Sequence, residues 1–250
     1  MTRIAIIAAM PGELKPVVRG WRRSRANGVD LWRWRFDDGE CIAACAGAGV
    51  GAATRALSEV EKGGVVDLII STGWAGALRE EFVPGKAYGV STVIDARTGE
   101  RYEAADMRSH PSRKNNDAVR VGHPNSNQVE HPGLWLVTSS RVANPEEKQR
   151  LAATYSAAMV DMEAAGVARL AQMREIPFYC VKGISDGYTD QLPDFNRFIS
   201  PGGQFKLVRF MVYALLRPWY WPALIRMGEN SRKAARNIAQ SLLVFLDEQE

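Results

Sequence analysis

Up to about residue 200, apolar residues come in short, nearly continuous runs, and stretches with helical spacing lie between them. Residues 3–9 carry Ile4, Ile6 and Ile7 among alanines, the pattern of a strand buried on both faces. Pro11 suits the first turn of a helix, with Glu13 close behind it. Residues 31–36 alternate Trp and Arg like a half-exposed strand, and residues 40–46 follow across the turn signal Asp37-Asp38-Gly39, so the two read as a hairpin. Gly47-Ala48-Gly49-Val50-Gly51 opens a helix over about 52–62 and presents backbone amides at its N-terminus. Residues 65–71 form a further buried strand that runs into Thr72-Gly73-Trp74-Ala75-Gly76, where small residues let the backbone approach a ligand.

Residues 95–132 turn polar and read as long loops or strands without a clear register. A strand resumes over 134–138, and Asn144-Pro145-Glu146-Glu147 is a helix start, with a cap and a proline at its first position. Residues 162–173 are Ala-rich with helical period, and 177–181 are the next strand. Strands alternating with helices predict an α/β fold of three layers, a central mixed, largely parallel sheet flanked by helices. Beyond residue 200 the pattern changes. Residues 205–227 hold Phe210, Leu215, Trp219, Tyr220 and Trp221, interrupted by Lys206, Arg209, Arg217, Pro218, Pro222 and Arg226. The prolines and charges exclude an ordinary membrane-spanning helix there and predict helix–Pro–helix, followed by an amphipathic helix over 231–246. The expected organisation is one domain over 1–200 and a C-terminal helical extension over 201–250. The extension would pack on the core or an interface, or lie on a membrane surface through its aromatic and basic residues.

The chain has 250 residues, 46% hydrophobic and 24% charged, enough for a full core and too apolar for a disordered chain. The formal charge of +4 is mild, and the basic clusters at 19–25 and 217–236 read as solvated faces, so no nucleic-acid partner is expected. Cys41, Cys45 and Cys180 match neither a zinc pattern nor a disulfide framework. With a strand already beginning at Arg3 and no signal peptide before it, a cytoplasmic location is expected, with membrane association as the alternative the tail raises. His110, His123 and His131 lack the spacing and supporting ligands of a metal site, and no metal or other cofactor is expected.

Two carboxylates stand out. Glu163 follows Val160-Asp161-Met162 at the start of a helical run, and Asp186 ends the strand-like segment 176–186. A carboxylate at the end of a buried element is costly to desolvate unless it is paired, hydrogen-bonded or used. An Asp just past a strand's C-terminal end also sits where α/β sheets place their ligands.

Four segments, in order, carry a resemblance: residues 6–13 ending in Met10-Pro11-Gly12-Glu13, the glycine loop 47–51, the strand and turn 67–76, and Val160-Asp161-Met162-Glu163 with Ile184-Ser185-Asp186. The chain resembles the purine nucleoside phosphorylase/nucleosidase superfamily, most closely its methylthioadenosine/S-adenosylhomocysteine nucleosidase branch and the hopanoid-associated phosphorylases. The resemblance implies cleavage of a purine N-glycosidic bond by at least a homodimer. Asp186, oriented by Ser185, would protonate the leaving base, and Glu163 would hold the ribose hydroxyls beside the oxocarbenium-like centre. Met10, Met162, Trp74, Ala75, Gly76 and Val142 would contact the substrate, and Gly49 and Lys182 would belong to the site of the nucleophile or an anion. Glu13 would activate water, and its charge would repel a phosphate dianion, so hydrolysis is favoured over phosphorolysis. The alternatives are phosphorolysis of a purine or lipid-linked adenosyl nucleoside, and a non-catalytic nucleoside-binding or membrane-associated protein. Three features depart from the family pattern. Trp74 stands where the family has a small Ser, Ser139-Ser140-Arg141-Val142 stands where a Phe-containing segment grips adenine by its main chain, and the tail after Asp194 exceeds what the core fold needs; Lys182 stands where the family often has Arg.

Overall fold

The computed structural model describes residues 2–107 and 133–248. The elements of the first half are β1 (Thr2–Ala8), α1 (Pro11–Leu14), β2 (Arg22–Ala26), β3 (Val29–Phe36), β4 (Gly39–Cys45), α2 (Val50–Glu61), β5 (Leu68–Ala77), β6 (Ala87–Gly89), β7 (Thr92–Asp95) and β8 (Arg101–Glu103). The second half adds β9 (Trp135–Thr138), α3 (Pro145–Tyr155), β10 (Met159–Asp161), α4 (Ala164–Met173), β11 (Phe178–Asp186), α5 (Leu207–Leu215) and α6 (Trp221–Asp247). Among the described residues the strands form one eleven-stranded sheet. Its middle is parallel, with β4, β1, β5 and β11 running together, while β2–β3–β4 is an antiparallel meander at one edge. On the other side β10 joins β5 antiparallel and β9 and β7 in turn run parallel to it.

The period-2 alternation of the central strands sorts the core into layers. Ala5 and Ile7 of β1, with Ile42 and Ala44 of β4, pack on one face against Ala56, Leu57 and Val60 of α2 and Val167 and Ala171 of α4. Ile4 and Ile6, with Cys41 and Ala43, face the opposite layer, built from Leu14, Ile238, Leu242 and Phe245. Both faces of the middle strands are therefore covered, which is why they read as continuous apolar runs. Cys41, Cys45 and Cys180 are free and buried, and burial pushes the Cys45 and Cys180 thiols up to about 12.

Several boundaries shift from the sequence reading. β5 runs on through Thr72-Gly73-Trp74-Ala75-Gly76, so the expected turn is strand, held by pairing with β11 from Ile69 to Gly76. The helix expected from 162 starts at Ala164, after the short strand β10 ends at Asp161. Pro222 does not divide the C-terminal helices where expected. It sits in the first turn of α6, where a missing N–H costs nothing, and α6 continues unbroken for 27 residues to Asp247. The three histidines and residues 108–132 of the polar stretch lie outside the described residues.

Candidate active site

The C-terminal end of β1, the far ends of β5 and β11 and the start of α4 surround a cavity of about 300 Å³. Glu13, Glu163 and Asp186 line it together, although 173 positions separate the first from the last. Met10, Trp74, Ala75, Gly76 and Met162 line it as well, as do Ser185 and Val142. The opposite wall is apolar, formed by Leu192, Phe195, Ile199, Phe205, Leu207 and Phe210.

Glu13 reaches back from the single turn of α1 and is held by three backbone amides. Its Oε2 accepts from Ala9 and Met10, both at 2.8 Å, and its Oε1 from Trp74 at 2.9 Å. Burial raises its pKa, against these amides and the charge of Lys182. The room comes from Gly73, where φ is +129° and a Cβ would lie 2.8 Å from Glu13 Oε1. Any other residue would be strained twice over, by backbone and by space.

Glu163 precedes α4 and accepts from Gly49 N at 2.7 Å through Oε1. The glycine loop ahead of α2 thus spends its amide on a side chain of the protein. Burial pushes the Glu163 carboxyl up to about 8, with Asp161 adding to the rise and Lys182 opposing it.

Asp186 owes its place to an irregularity. Consecutive residues of a regular strand point to opposite faces, yet Ser185 and Asp186 both line the cavity. The register of β11 against β5 shifts between Ile184 and Asp186, a bulge that inserts Ser185 and re-aims the residue after it. Ser185 Oγ donates to Asp186 Oδ1 at 2.6 Å. Asp186 Oδ2 is ion-paired with Lys148 Nζ, which also donates to Gly187 O at 2.6 Å. Lys148 comes from α3, whose start is fixed by Asn144 Oδ1 accepting from Glu147 N at 2.8 Å. Gly76 makes the pair possible, since a Cβ there would sit 3.0 Å from Asp186 Oδ2 and 3.1 Å from Lys148 Cε. The sequence reading missed Lys148. Its signal was faint, a lysine three residues past a helix start that aligns with the inward Leu151 only once the face of α3 is known.

Lys182 is not at an anion site. It is 1% exposed and does not line the cavity, and its Nζ binds Asp161 Oδ2 at 2.9 Å and Thr72 O at 3.1 Å. Burial disfavours its ammonium, but Asp161 and Glu163 hold its pKa above the ordinary value. Asp161 is further bound by Thr138 Oγ1 at 2.7 Å and Ala164 N at 2.9 Å, so the cluster ties β9, β10, β11 and the start of α4. Gly49, expected beside Lys182, also stays off the cavity wall, with its amide committed to Glu163.

The chain matches the sequence model of the Phosphorylase superfamily over residues 3–201. It belongs to that superfamily. A 5′-methylthioadenosine/S-adenosylhomocysteine nucleosidase of Shewanella pealeana is 25% identical over 229 residues, 86% of this chain and 98% of the relative. Among solved structures, the 5′-methylthioadenosine/S-adenosyl homocysteine nucleosidase of Helicobacter pylori aligns over 99% of this chain and 98% of its own, with a TM-score of 0.71 and 16% identity. The futalosine hydrolase of Helicobacter pylori matches with the same score, identity and coverage of both chains.

Within this superfamily member, the stretch around Val142 differs from the sequence expectation. Val142 lines the cavity, but its main chain is occupied: its N donates to Asn196 Oδ1 at 2.8 Å, and its O accepts from Asn196 Nδ2 at 3.0 Å. A carboxamide offers one acceptor and one donor side by side, the same pattern as the amino edge of adenine. Trp74 spans two elements, its backbone N on Glu13 and its Nε1 donating to Ser231 O of α6 at 3.0 Å.

Proposed function

We propose that the chain hydrolyses the N-glycosidic bond of an adenosine-type nucleoside, with Glu13 serving the water, Glu163 the ribose and the Asp186–Lys148 pair the leaving base. The observation that carries this reading is the convergence of Glu13, Glu163 and Asp186 on one cavity, with Asp186 ion-paired to Lys148. Glu13, held by three amides, keeps an open lone-pair position from which it orients a water and takes its proton. Glu163 accepts from ribose hydroxyls and stabilises the positive charge that builds at C1′. As the C1′–N9 bond breaks, its electron pair passes to the base. Asp186 delivers a proton to the base, and Lys148, in contact with Oδ2, replenishes it. The water oxygen bonds to C1′, so nucleoside and water become free base and ribose.

The cations of the cavity wall support water over phosphate. Arg141 is paired with Glu147 and Lys148 with Asp186, so neither is left to bind a phosphate dianion next to Glu13. The apolar wall suits a substrate with an apolar group on its sugar. The names of the similar nucleosidases, and of the futalosine hydrolase as a hydrolase, agree with this reading. The proposed reacting groups lie within 1–200, and the cavity-lining residues after 200 are Gly203, Phe205, Leu207, Phe210 and Met227.

The test is incubation with a panel of purine nucleosides, with and without phosphate, following ribose and ribose 1-phosphate. Free base with ribose, at a rate indifferent to phosphate, is the expected result. Phosphate-dependent ribose 1-phosphate would overturn it.

A further inference from the structure

α5 is a helix with two apolar faces, one packed and one exposed. Its inner face meets the Phe195, Phe198 and Phe205 rings through Phe210, at centroid distances of 5.3–5.4 Å. Its outer face carries Val208, Met211, Val212 and Leu215, spaced i, i+3, i+4, i+7 and 55–76% exposed. No residue of α5 is buried. The exposed surface continues past the helix end through Leu216 to Trp219, Trp221 and Ile225. A contiguous patch of this kind marks a docking surface.

The charges around the patch select what docks. Lys206, Arg209, Arg217 and Arg226 are interspersed with these apolar residues, and no acidic residue occurs between Asp194 and Glu229. None of the four has a carboxylate partner among the described residues, Arg217 instead lying 3.9 Å over the Tyr213 ring. A two-fold contact between copies would set this cationic patch against itself. An anionic bilayer offers what both halves need, an apolar interior for the aliphatic stripe and the tryptophans and negative headgroups for the bases. No described helix is long and apolar enough to cross a membrane, so the segment would lie on it.

We propose that residues 206–226 form a surface that docks the enzyme onto an anionic lipid bilayer. The cavity shares this segment, since Leu207 and Phe210 of α5 line its apolar wall. Docking thus places the mouth of the active site beside the acyl region, where an amphiphilic nucleoside would be found. The docking itself does not depend on the reaction proposed above.

The experiment is flotation of the full chain with vesicles of phosphatidylcholine alone and of phosphatidylcholine mixed with phosphatidylglycerol, at low and high salt, alongside the mass in solution. Binding to the anionic vesicles, weakened by salt, is expected. Replacing two arginines, Arg209→Ala with Arg217→Ala, lowers the partition on the order of tenfold. Met211→Asp with Leu215→Asp abolishes binding and leaves cleavage of a water-soluble nucleoside unchanged. Failure of the wild type to bind anionic vesicles overturns the proposal, as does binding that survives the double aspartate variant. A soluble dimer that the aspartates split, with no vesicle binding, would also overturn it by assigning the patch to a second copy.

Discussion

The molecule contains two buried lysine–aspartate pairs built from the same parts. Lys182 meets Asp161 and the carbonyl of Thr72, and Lys148 meets Asp186 and the carbonyl of Gly187. The lysine side chains are 1% and 2% exposed. What differs is the aspartate. Asp161 is closed in, 0% exposed, with both oxygens held by Thr138, Ala164 and Lys182. Both residues line the cavity, but the Asp186 side chain is 12% exposed, and among the described residues Ser185 and Lys148 hold it. A saturated carboxylate joins strands. One with open valence beside a cavity can exchange a proton with what enters. Burial and charge pairing alone do not identify a reactive pair, but the solvation of its acceptor does.

Breaking each pair should therefore give different losses. Asp186→Asn and Lys148→Met are expected to lower kcat on a purine nucleoside by about 10²–10⁴-fold. The loss should shrink on a riboside whose leaving group departs without protonation, such as 4-nitrophenol. Equal losses on both substrates would reduce Lys148 to packing. Lys182→Met leaves Asp161 buried without its counter-charge and should cost about 3–5 kcal/mol of stability in denaturant unfolding. The protein that remains folded should lose less activity than with Asp186→Asn or Lys148→Met, because Lys182 acts on Glu13 and Glu163 through its charge, and a kcat loss as large as theirs would erase the distinction.

A smaller effect concerns pH. Glu163 is raised in the folded state from 4.5 to about 8 by burial, so the fold binds a proton that the unfolded chain has released. Its contribution to stability is full below pH 4.5 and is lost as pH rises through about 8, and Glu13 shifts in the same direction. The thermal midpoint of the free protein should fall across that window, and Glu163→Gln should flatten the fall. An unchanged slope would remove Glu163 as its source.

The layers and most central strands were legible because both-face burial writes itself as unbroken apolar runs, as in residues 3–9 and 177–181. Glu13, Glu163 and Asp186 were legible because their motifs fall in order at the ends of such runs. The pairings across the fold were not. Lys148 and Lys182 are both lysines near buried segments, and only the tertiary arrangement shows that the first reaches the cavity and the second points beneath it. The same holds for Asn196 on Val142, which joins two loops 54 positions apart. The short strands β6, β7 and β8, of three or four residues each, are too brief for a period to register.

The continuity of α6 limits how this chain can be shortened. At about 40 Å the helix is one rod. Its first turns carry Trp221 and Ile225 into the open, and its last turns bury Ile238, Leu242 and Phe245 over the sheet. A stop codon between residues 200 and 206 would strip the cover from one face of the sheet together with the exposed segment. Removing that segment alone calls for an internal excision that joins residue 205 to residue 227 and leaves the rest of α6 seated on the strands that Ile238 and Leu242 seal. What can be cut from this end is set by where α6 turns from exposed to buried, not by distance from the C-terminus.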